Sequence, residues 1–211
     1  MAFARLDGPG GDVTSLGVRR TRGVAVALGI AAVLVWIPLQ AVAKSRGEVD
    51  AALEAAIHLK AIGYDRNLVQ RSLSEIVVAI VYEPSSSTSV QRYTEMLGAF
   101  QRAGNITIRD LKVRFVSVPF KTPLDVELAK AKATVVYVCP GLDDSLQEIL
   151  AAAAKVEAPT LAGQRSYVEK GITIGVVAKG KNPAILVNLP AARRIRADFG
   201  AAFLRLAEVV E

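Results

Sequence analysis

His58 and Cys139 are the first candidates for acid–base, nucleophilic or metal chemistry, because the chain has one histidine and one cysteine. One of each makes neither a disulfide nor a metal cluster. Cys139 ends an apolar run, which is typical of a small core residue, and His58 lies among Ala and Leu without an identifiable acid–base partner. We therefore predict no metal, no cofactor and no enzymatic activity. A hydrolase that uses Cys139 or Asp143 is the weakest alternative, because no base is positioned in the sequence.

A hydroxyl-rich loop is the strongest binding signal. Pro84 breaks a strand, and four hydroxyl side chains follow it: Ser85, Ser86, Ser87 and Thr88. A helix N-terminus favours an anion, so this loop suits a carboxylate or a phosphate. Helix capping and contact with solvent are the simpler explanation of the same residues.

Other loops carry fewer candidate residues. Asp143 or Asp144 can cap the helix that follows, which explains the pair without catalysis. Arg165 can pair with an anion or lie on the surface. The sequence contains neither a Gly-x-Ser-x-Gly elbow nor a Walker loop.

The stretch Ile76–Tyr82 must position these loops. It is uncharged, rich in Val and Ile and not alternating, which predicts a strand buried on both faces of a parallel sheet. Further strands are predicted at Leu111–Val118, Val135–Cys139, Pro159–Ala162, Ile172–Ala178 and Ala184–Leu189. Helices are predicted at Gly47–Lys60, Ser89–Arg102, Leu124–Lys132, Ser145–Val156, Gln164–Glu169, Pro190–Arg196 and Ala197–Val210.

This order of elements predicts an α/β fold: a single Rossmann-like or flavodoxin-like three-layer domain. The sheet should be mostly parallel, with a C-terminal antiparallel hairpin across Lys179–Pro183 and with terminal helices. Ligands of open α/β sheets bind outside the carboxyl ends of the strands. Those ends are Glu83–Thr88, Pro119–Phe120, Cys139–Asp144 and Gly163–Arg165.

The N-terminal region has the pattern of a secretory signal peptide. Arg19, Arg20 and Arg22 precede an uncharged, mainly apolar run from Gly23 to Ala43 that ends in small residues. We predict a signal peptide at residues 1–43 and a mature domain at residues 44–211 in the periplasm. The alternative is an uncleaved membrane anchor.

The charge of the chain argues against nucleic-acid binding. The net charge is +6, and removal of the leader would leave +4 without a run of Lys or Arg. Nucleic-acid binding would need a basic patch and interleaved aromatic residues, so we predict an ordinary solvated surface.

The C-terminal region resembles that of YfiR-like proteins. The resemblance rests on Ile185–Leu189 followed by Pro190-Ala191-Ala192-Arg193-Arg194, and on Phe203–Val210. Val135–Pro140, Ala158–Gly171 and Tyr64–Leu68 look similar to other parts of that family. The chain departs from the family pattern at Gly200-Ala201-Ala202 and in its Ala-rich first helix.

The resemblance implies a non-enzymatic periplasmic α/β domain that regulates a membrane-bound signalling protein, such as a diguanylate cyclase or a histidine kinase. Asn188 and Arg193 match the family motif, although helix capping and a local ion pair explain them more simply. A second interaction surface is predicted at four residues: Tyr64, Asp65, Arg66 and Asn67.

Two functions follow from these observations. The first is regulation of a membrane-bound signalling protein, either by a single copy of this chain or by a homodimer. The second is a binding protein for a small, anionic ligand, similar to one lobe of a transporter's substrate-binding protein. The first strand and its Pro-Ser loop favour the second function, whereas the room for only one lobe disfavours it.

Overall fold

The computed structural model of the protein describes residues 48–72, 74–103 and 106–211. The predicted leader, residues 1–43, lies outside the described residues. Within them, no helix combines the length and the apolar character needed to cross a bilayer.

The described chain folds around one eight-stranded sheet with the strand order β2-β3-β1-β4-β5-β6-β7-β8. Strands β3, β1, β4, β5 and β6 are mutually parallel, β2 and β7 pair antiparallel with β3 and β6, and β8 is parallel to β7. The strands are β1 Glu75–Tyr82, β2 Thr107–Ile108, β3 Leu111–Pro119, β4 Val135–Val138, β5 Thr160–Ala162, β6 Ile174–Lys179, β7 Asn182–Asn188 and β8 Glu208–Val210.

Helices cover both faces of the sheet, which confirms the predicted three-layer α/β fold. They are α1 Ala51–Ile62, α2 Leu68–Arg71, α3 Ser87–Arg102, α4 Leu124–Ala131, α5 Leu146–Lys155, α6 Arg165–Glu169, α7 Leu189–Arg194 and α8 Ala201–Leu204. Helices α1, α3 and α8 pack on the first face, and α4, α5 and α6 pack on the second.

Strand β1 is an interior strand that is buried on both faces, as the sequence predicted. It lies between β3 and β4, and its interior residues are buried on both faces. Val78 and Ile80 point to the first face, whereas Ala79 and Val81 point to the second. Full burial of each Val or Ile contributes about 1.5–3 kcal/mol, so this strand stabilises both layers at once.

The predicted hairpin is present, but its turn is shorter than the predicted five residues. Lys179 pairs with Asn182, which leaves Gly180 and Lys181 as the turn. Gly180 has a φ of +64°, a conformation that a two-residue turn requires and that glycine adopts without strain. Pro183 is tolerated in β7 because β8 pairs only with Leu186–Asn188, beyond the proline.

The predicted helix at Ala197–Val210 is wrong. The chain forms only the short α8 there and then becomes strand β8. Val209 pairs with Val187, and β-branched residues suit such a pairing. Glu208 accepts hydrogen bonds from Arg165 and Lys179, which fix the strand beside β7.

Candidate functional site

The strand order creates a topological switch point between β1 and β4. From β1 the chain passes through α3 on the first face to β3, whereas from β4 it passes through α5 on the second face to β5. The loops after β1 and β4 therefore lead to opposite faces. Open α/β sheets bind ligands in the crevice that forms where the loops diverge. We call the space beside Glu83–Thr88 and Cys139–Asp144 the switch-point crevice.

The first wall of the crevice is the hydroxyl-rich loop, and two of its four hydroxyls are engaged internally. Ser85 donates to Glu83 Oε1 through its backbone N–H at 3.0 Å and through its hydroxyl at 2.6 Å. Both bonds lower the pKa of the Glu83 carboxyl. Ser86 is the N-cap of α3, and its Oγ accepts from the Ser89 N–H at 3.3 Å.

The remaining two hydroxyl residues open onto solvent at the first turn of α3. Ser87 and Thr88 are exposed. Within the described part of the chain, their hydroxyls and backbone N–H groups bond to no acceptor. Helix α3 is 16 residues long, so its first turn carries the positive end of a full helix dipole.

The second wall is the loop after β4, which touches the first wall at Gly141. This glycine has a φ of +80°. A Cβ added to it would lie 2.6 Å from Ser86 Oγ. Glycine is thus required both by the backbone conformation and by the close approach of the two loops.

The prediction that Asp143 or Asp144 caps α5 is wrong. Ser145 is the N-cap and makes no side-chain capping bond. Asp143 instead accepts from the Tyr167 hydroxyl at 3.0 Å, and the same hydroxyl accepts from the Leu142 N–H at 2.9 Å. Burial raises the pKa of Tyr167, and the Asp143 hydrogen bond acts in the same direction. Asp144 is exposed and has no described partner.

The loop after β5 extends the crevice. A Cβ on Gly163 would lie 2.8 Å from Glu54 Oε2, so this loop lies directly on the Glu54 carboxylate. Gln164 Oε1 is buried without a hydrogen-bond partner among the described residues. Arg165 binds Glu208 with bonds of 2.7 and 3.2 Å. The hydrogen bonds from Arg165 and Lys179 lower the pKa of Glu208 to about 2.

A buried polar cluster, which the sequence analysis missed, lies beneath the Gly163 loop. Glu54 accepts from Arg92 and, at 2.7 Å, from the Tyr137 hydroxyl. Arg92 also binds Glu95, the Val49 carbonyl and the Tyr137 hydroxyl. We call Glu54, His58, Arg92 and Tyr137 the buried cluster. The spacing of Glu54 and His58, four residues apart on the buried face of α1, was the available sequence signal.

The electrostatics of the buried cluster keep Glu54 ionised. Burial raises the pKa of its carboxyl, but the proximity of His58, Arg92 and Tyr137 lowers it by more, so the net direction is downward. His58 Nε2 lies 3.5 Å from Glu54 Oε1, which is too long for a normal hydrogen bond.

Burial also raises the pKa of the Cys139 thiol well above its usual range, so this thiol is unsuited to nucleophilic chemistry.

The predicted surface Tyr64–Asn67 lies away from the crevice, at the amino ends of the strands. Asp65 is buried, pairs with Arg71 and accepts from the Asp198 N–H at 2.9 Å. The other members of the surface also contact the segment 196–203. Asn67 donates to the Arg196 carbonyl at 2.8 Å, Arg66 pairs with Asp198 at 3.3 Å, and Tyr64 stacks on Phe203 at 4.9 Å. These contacts fasten the C-terminal segment to the domain.

Asn188 and Arg193 also lie apart from the crevice. Asn188 Oδ1 accepts from the Ala191 N–H at 2.8 Å, which confirms its capping role, and its amide donates to the Val168 carbonyl. Arg193 is exposed. Arg193 forms no ion pair with a described carboxylate, so the ion pair predicted for it is absent there.

The described residues contain no group of three or more His, Cys, Asp or Glu side chains placed to hold a metal ion.

No protein-family model and no curated protein matches the chain. Solved structures do match. The ABC domain in complex with L-Trp from Streptococcus pneumonia aligns with a TM-score of 0.53 and 14% identity, over 77% of this chain and 60% of that chain.

Two further solved structures align comparably. A conserved domain protein from Vibrio cholerae has a TM-score of 0.52 and 16% identity, over 71% of this chain and 60% of that chain. A ligand-free, open substrate-binding protein with adhesive properties from Clostridium difficile has a TM-score of 0.49 and 15% identity, over 69% of this chain and 57% of that chain.

The alignments at TM-scores of 0.53 and 0.52 show a shared fold. The chain spans about 60% of the length of those two solved proteins. The resemblance to YfiR-like proteins stays a prediction.

Proposed function

We propose that this protein is a small-ligand-binding domain that holds its ligand in the switch-point crevice. The observation that carries the proposal is the strand order, which sends α3 and α5 to opposite faces of the sheet from neighbouring strands. The likeness to a domain in complex with L-Trp supports the same function. Of the two functions considered from the sequence, the comparisons therefore favour the small-ligand binder.

The crevice suits a ligand that carries an anionic group. At the first turn of α3, the N–H groups of Ser87 and Thr88 are free to donate. Such N–H groups and the helix dipole together favour a carboxylate or a phosphate. The exposed carboxylate of Asp144 on the opposite loop suits a cationic group, so a zwitterionic amino acid matches both walls.

Isothermal titration calorimetry of the full-length protein with the L-amino acids and inorganic phosphate tests this proposal. The variant Thr88→Asp places a carboxylate in the first turn of α3, where it stabilises the helix but repels an anionic ligand. We expect binding to weaken at least about fivefold, from the repulsion of two unit charges about 4 Å apart in water. Thr94→Asp makes the same change at an exposed position further along α3 and is the matched control.

Two results would contradict the proposal. One is the absence of heat with every amino acid and with phosphate. The other is equal binding by the Thr88→Asp and Thr94→Asp variants, which would place the ligand away from the crevice. Since a crevice at the edge of a single domain leaves part of the ligand in contact with solvent, we expect weak affinity unless a second body closes over the ligand.

The leader pattern supports export as a further part of the proposal. Protein isolated from the native cell envelope should begin at Lys44 when its N-terminus is sequenced. An intact leader on membrane-bound protein would favour the anchor. The regulatory role is a separate prediction, and cross-linking in the native envelope followed by mass spectrometry should then recover a membrane kinase or cyclase.

A further inference from the structure

A cavity of about 290 Å³ lies at the amino ends of β1 and β4, at the opposite edge of the sheet from the crevice. It is lined by residues from the start of β1, the C-terminal end of α4 and the segment before β4. Its size approaches that of small-ligand pockets, which begin at roughly 300 Å³.

The lining of this cavity combines an apolar floor with a charged rim. Val77, Leu128 and Val156 form part of the floor, and the rim carries Arg71, Lys132 and the carboxylate of Glu75. An apolar floor with a few convergent polar groups is the usual composition of a small-molecule site.

Arg71 supplies a donor that the fold leaves unused. Its side chain is only 10% exposed, and it pairs with the buried Asp65 and donates to the Arg196 carbonyl. Its Nε–H is buried and has no hydrogen-bond partner among the described residues. A buried donor without an acceptor costs free energy, so the position favours a ligand that brings one.

The charges around the cavity favour an anion. Lys132 is exposed on the rim and lies near Glu75. Glu75 already pairs with Arg114 at 2.9 Å, and the hydrogen bond from Arg114 lowers the pKa of this carboxyl. The cations of Arg71, Arg114 and Lys132 thus outnumber the carboxylates of Asp65 and Glu75.

We propose that this cavity is a second ligand site, independent of the switch-point crevice, which binds a small amphipathic carboxylate. The carboxylate pairs with Lys132 and accepts from Arg71 Nε–H after a shift of the arginine side chain that opens this donor to the cavity, while its hydrocarbon part lies against Val156. Thr134 takes no part, because its hydroxyl is already bonded to the backbone of Val77.

Calorimetric titration of the full-length protein with hexanoate, and with hexan-1-ol as the uncharged probe of equal chain length, tests the site. We expect hexan-1-ol to bind at least about tenfold more weakly, because it lacks the charge-assisted hydrogen bond. Arg71 is unsuitable for substitution because it also neutralises Asp65. The exposed rim residues Ala129 and Lys132 are suitable instead.

The variant Ala129→Phe should fill the cavity and weaken hexanoate binding more than about tenfold. The variant Lys132→Gln should weaken it about fivefold through loss of the charge. Ala151→Phe adds the same bulk at an exposed position of α5 outside the cavity and should leave binding unchanged.

Four results would overturn the proposal. They are no binding of hexanoate, equal binding of hexan-1-ol, full binding by Ala129→Phe, and loss of hexanoate binding in the crevice variant Thr88→Asp. The last would place hexanoate in the switch-point crevice, so failure of this site is distinguishable from failure of the proposed function.

Discussion

The buried ion pair between Arg92 and Glu54 should contribute strongly to the free energy of unfolding. The side chains are 8% and 1% exposed, so water cannot replace a lost contact. We expect Arg92→Met to lower the free energy of unfolding by about 3–5 kcal/mol, because it leaves a buried carboxylate without its cation. The matched control is Arg114→Met. That arginine pairs with Glu75 near the surface, at 46% and 35% exposure, and its loss should cost at most about 1 kcal/mol.

Urea denaturation followed by far-ultraviolet circular dichroism measures both variants. The double variant Glu54→Leu/Arg92→Met removes both charges and should regain part of the lost stability, since a hydrophobic pair can replace a buried ion pair of similar volume. Equal losses in Arg92→Met and Arg114→Met would refute the reasoning. A double variant less stable than Arg92→Met would refute it as well.

The pH dependence of the free energy of unfolding tests whether the charge of Glu54 stabilises the protein through the same ion pair. Burial raises the pKa of Glu54, but its polar neighbours bring the net value below the ordinary one. Glu54 therefore stabilises the protein above its unfolded pKa of about 4.3, and this contribution is lost as the pH falls through the lower folded pKa. Without Arg92, less of the burial penalty on the Glu54 carboxylate is offset, so its pKa in the folded variant is higher than in the wild type. The stability gap between wild type and Arg92→Met should thus narrow from pH 7 to pH 4, and a constant gap would contradict the assignment.

Three further predictions test local contacts by urea denaturation or by titration. Tyr167→Phe should cost about 1–3 kcal/mol, because it leaves the buried Leu142 N–H without an acceptor; no loss would show that water replaces the hydroxyl. Asn188→Ala should cost about 1–2 kcal/mol through loss of the α7 cap, whereas Arg193→Ala should change stability by less than about 0.5 kcal/mol; equal effects would contradict the capping role. The Glu208 carboxyl should titrate near pH 2 by ¹³C NMR and shift upward in Arg165→Gln; an unshifted value would refute the ion pair.

The elements that the sequence predicted well are those whose burial is uniform. Ile76–Tyr82 contains no charge, so a strand buried on both faces is the arrangement that hides it, and the structure has that strand as the core of β1. The predicted strand at Leu111–Val118 is present as β3. Its Lys112 and Arg114 alternate with apolar neighbours, a pattern that suits a strand with a more exposed face, and β3 lies next to the edge strand β2. In both cases the pattern of side chains reports the local surroundings directly.

The C-terminal strand could not be predicted, because its causes lie elsewhere in the chain. Ala201–Leu206 has good helix formers, and a helix through Val210 satisfies local preferences. Pairing with β7 and the hydrogen bonds from Arg165 and Lys179 to Glu208 override that preference. Tertiary contacts of this kind have no counterpart in a window of neighbouring residues.

The candidate site likewise has one part that a local sequence pattern encodes and one part that only tertiary packing brings together. The hydroxyl loop at Ser85–Thr88 is local, so Pro84 and the following hydroxyls were enough to predict it. The buried cluster is not local, because Glu54, Arg92 and Tyr137 come from α1, α3 and β4. Their convergence depends on the packing of α1 against α3, which no single segment encodes.

The buried cluster connects the parts that frame the crevice. Arg92 belongs to the helix whose first turn forms one wall, Tyr137 belongs to β4, which leads into the other wall, and the Gly163 loop lies on Glu54. Four of the five N–H donors of Arg92 bond to Glu54, Glu95, Val49 and Tyr137, so the side chain is held in place beneath the crevice. Its structural role is therefore to hold α3, β4 and the Gly163 loop together. Under the proposed function, the ligand is recognised by the N–H groups of Ser87 and Thr88 rather than by Arg92.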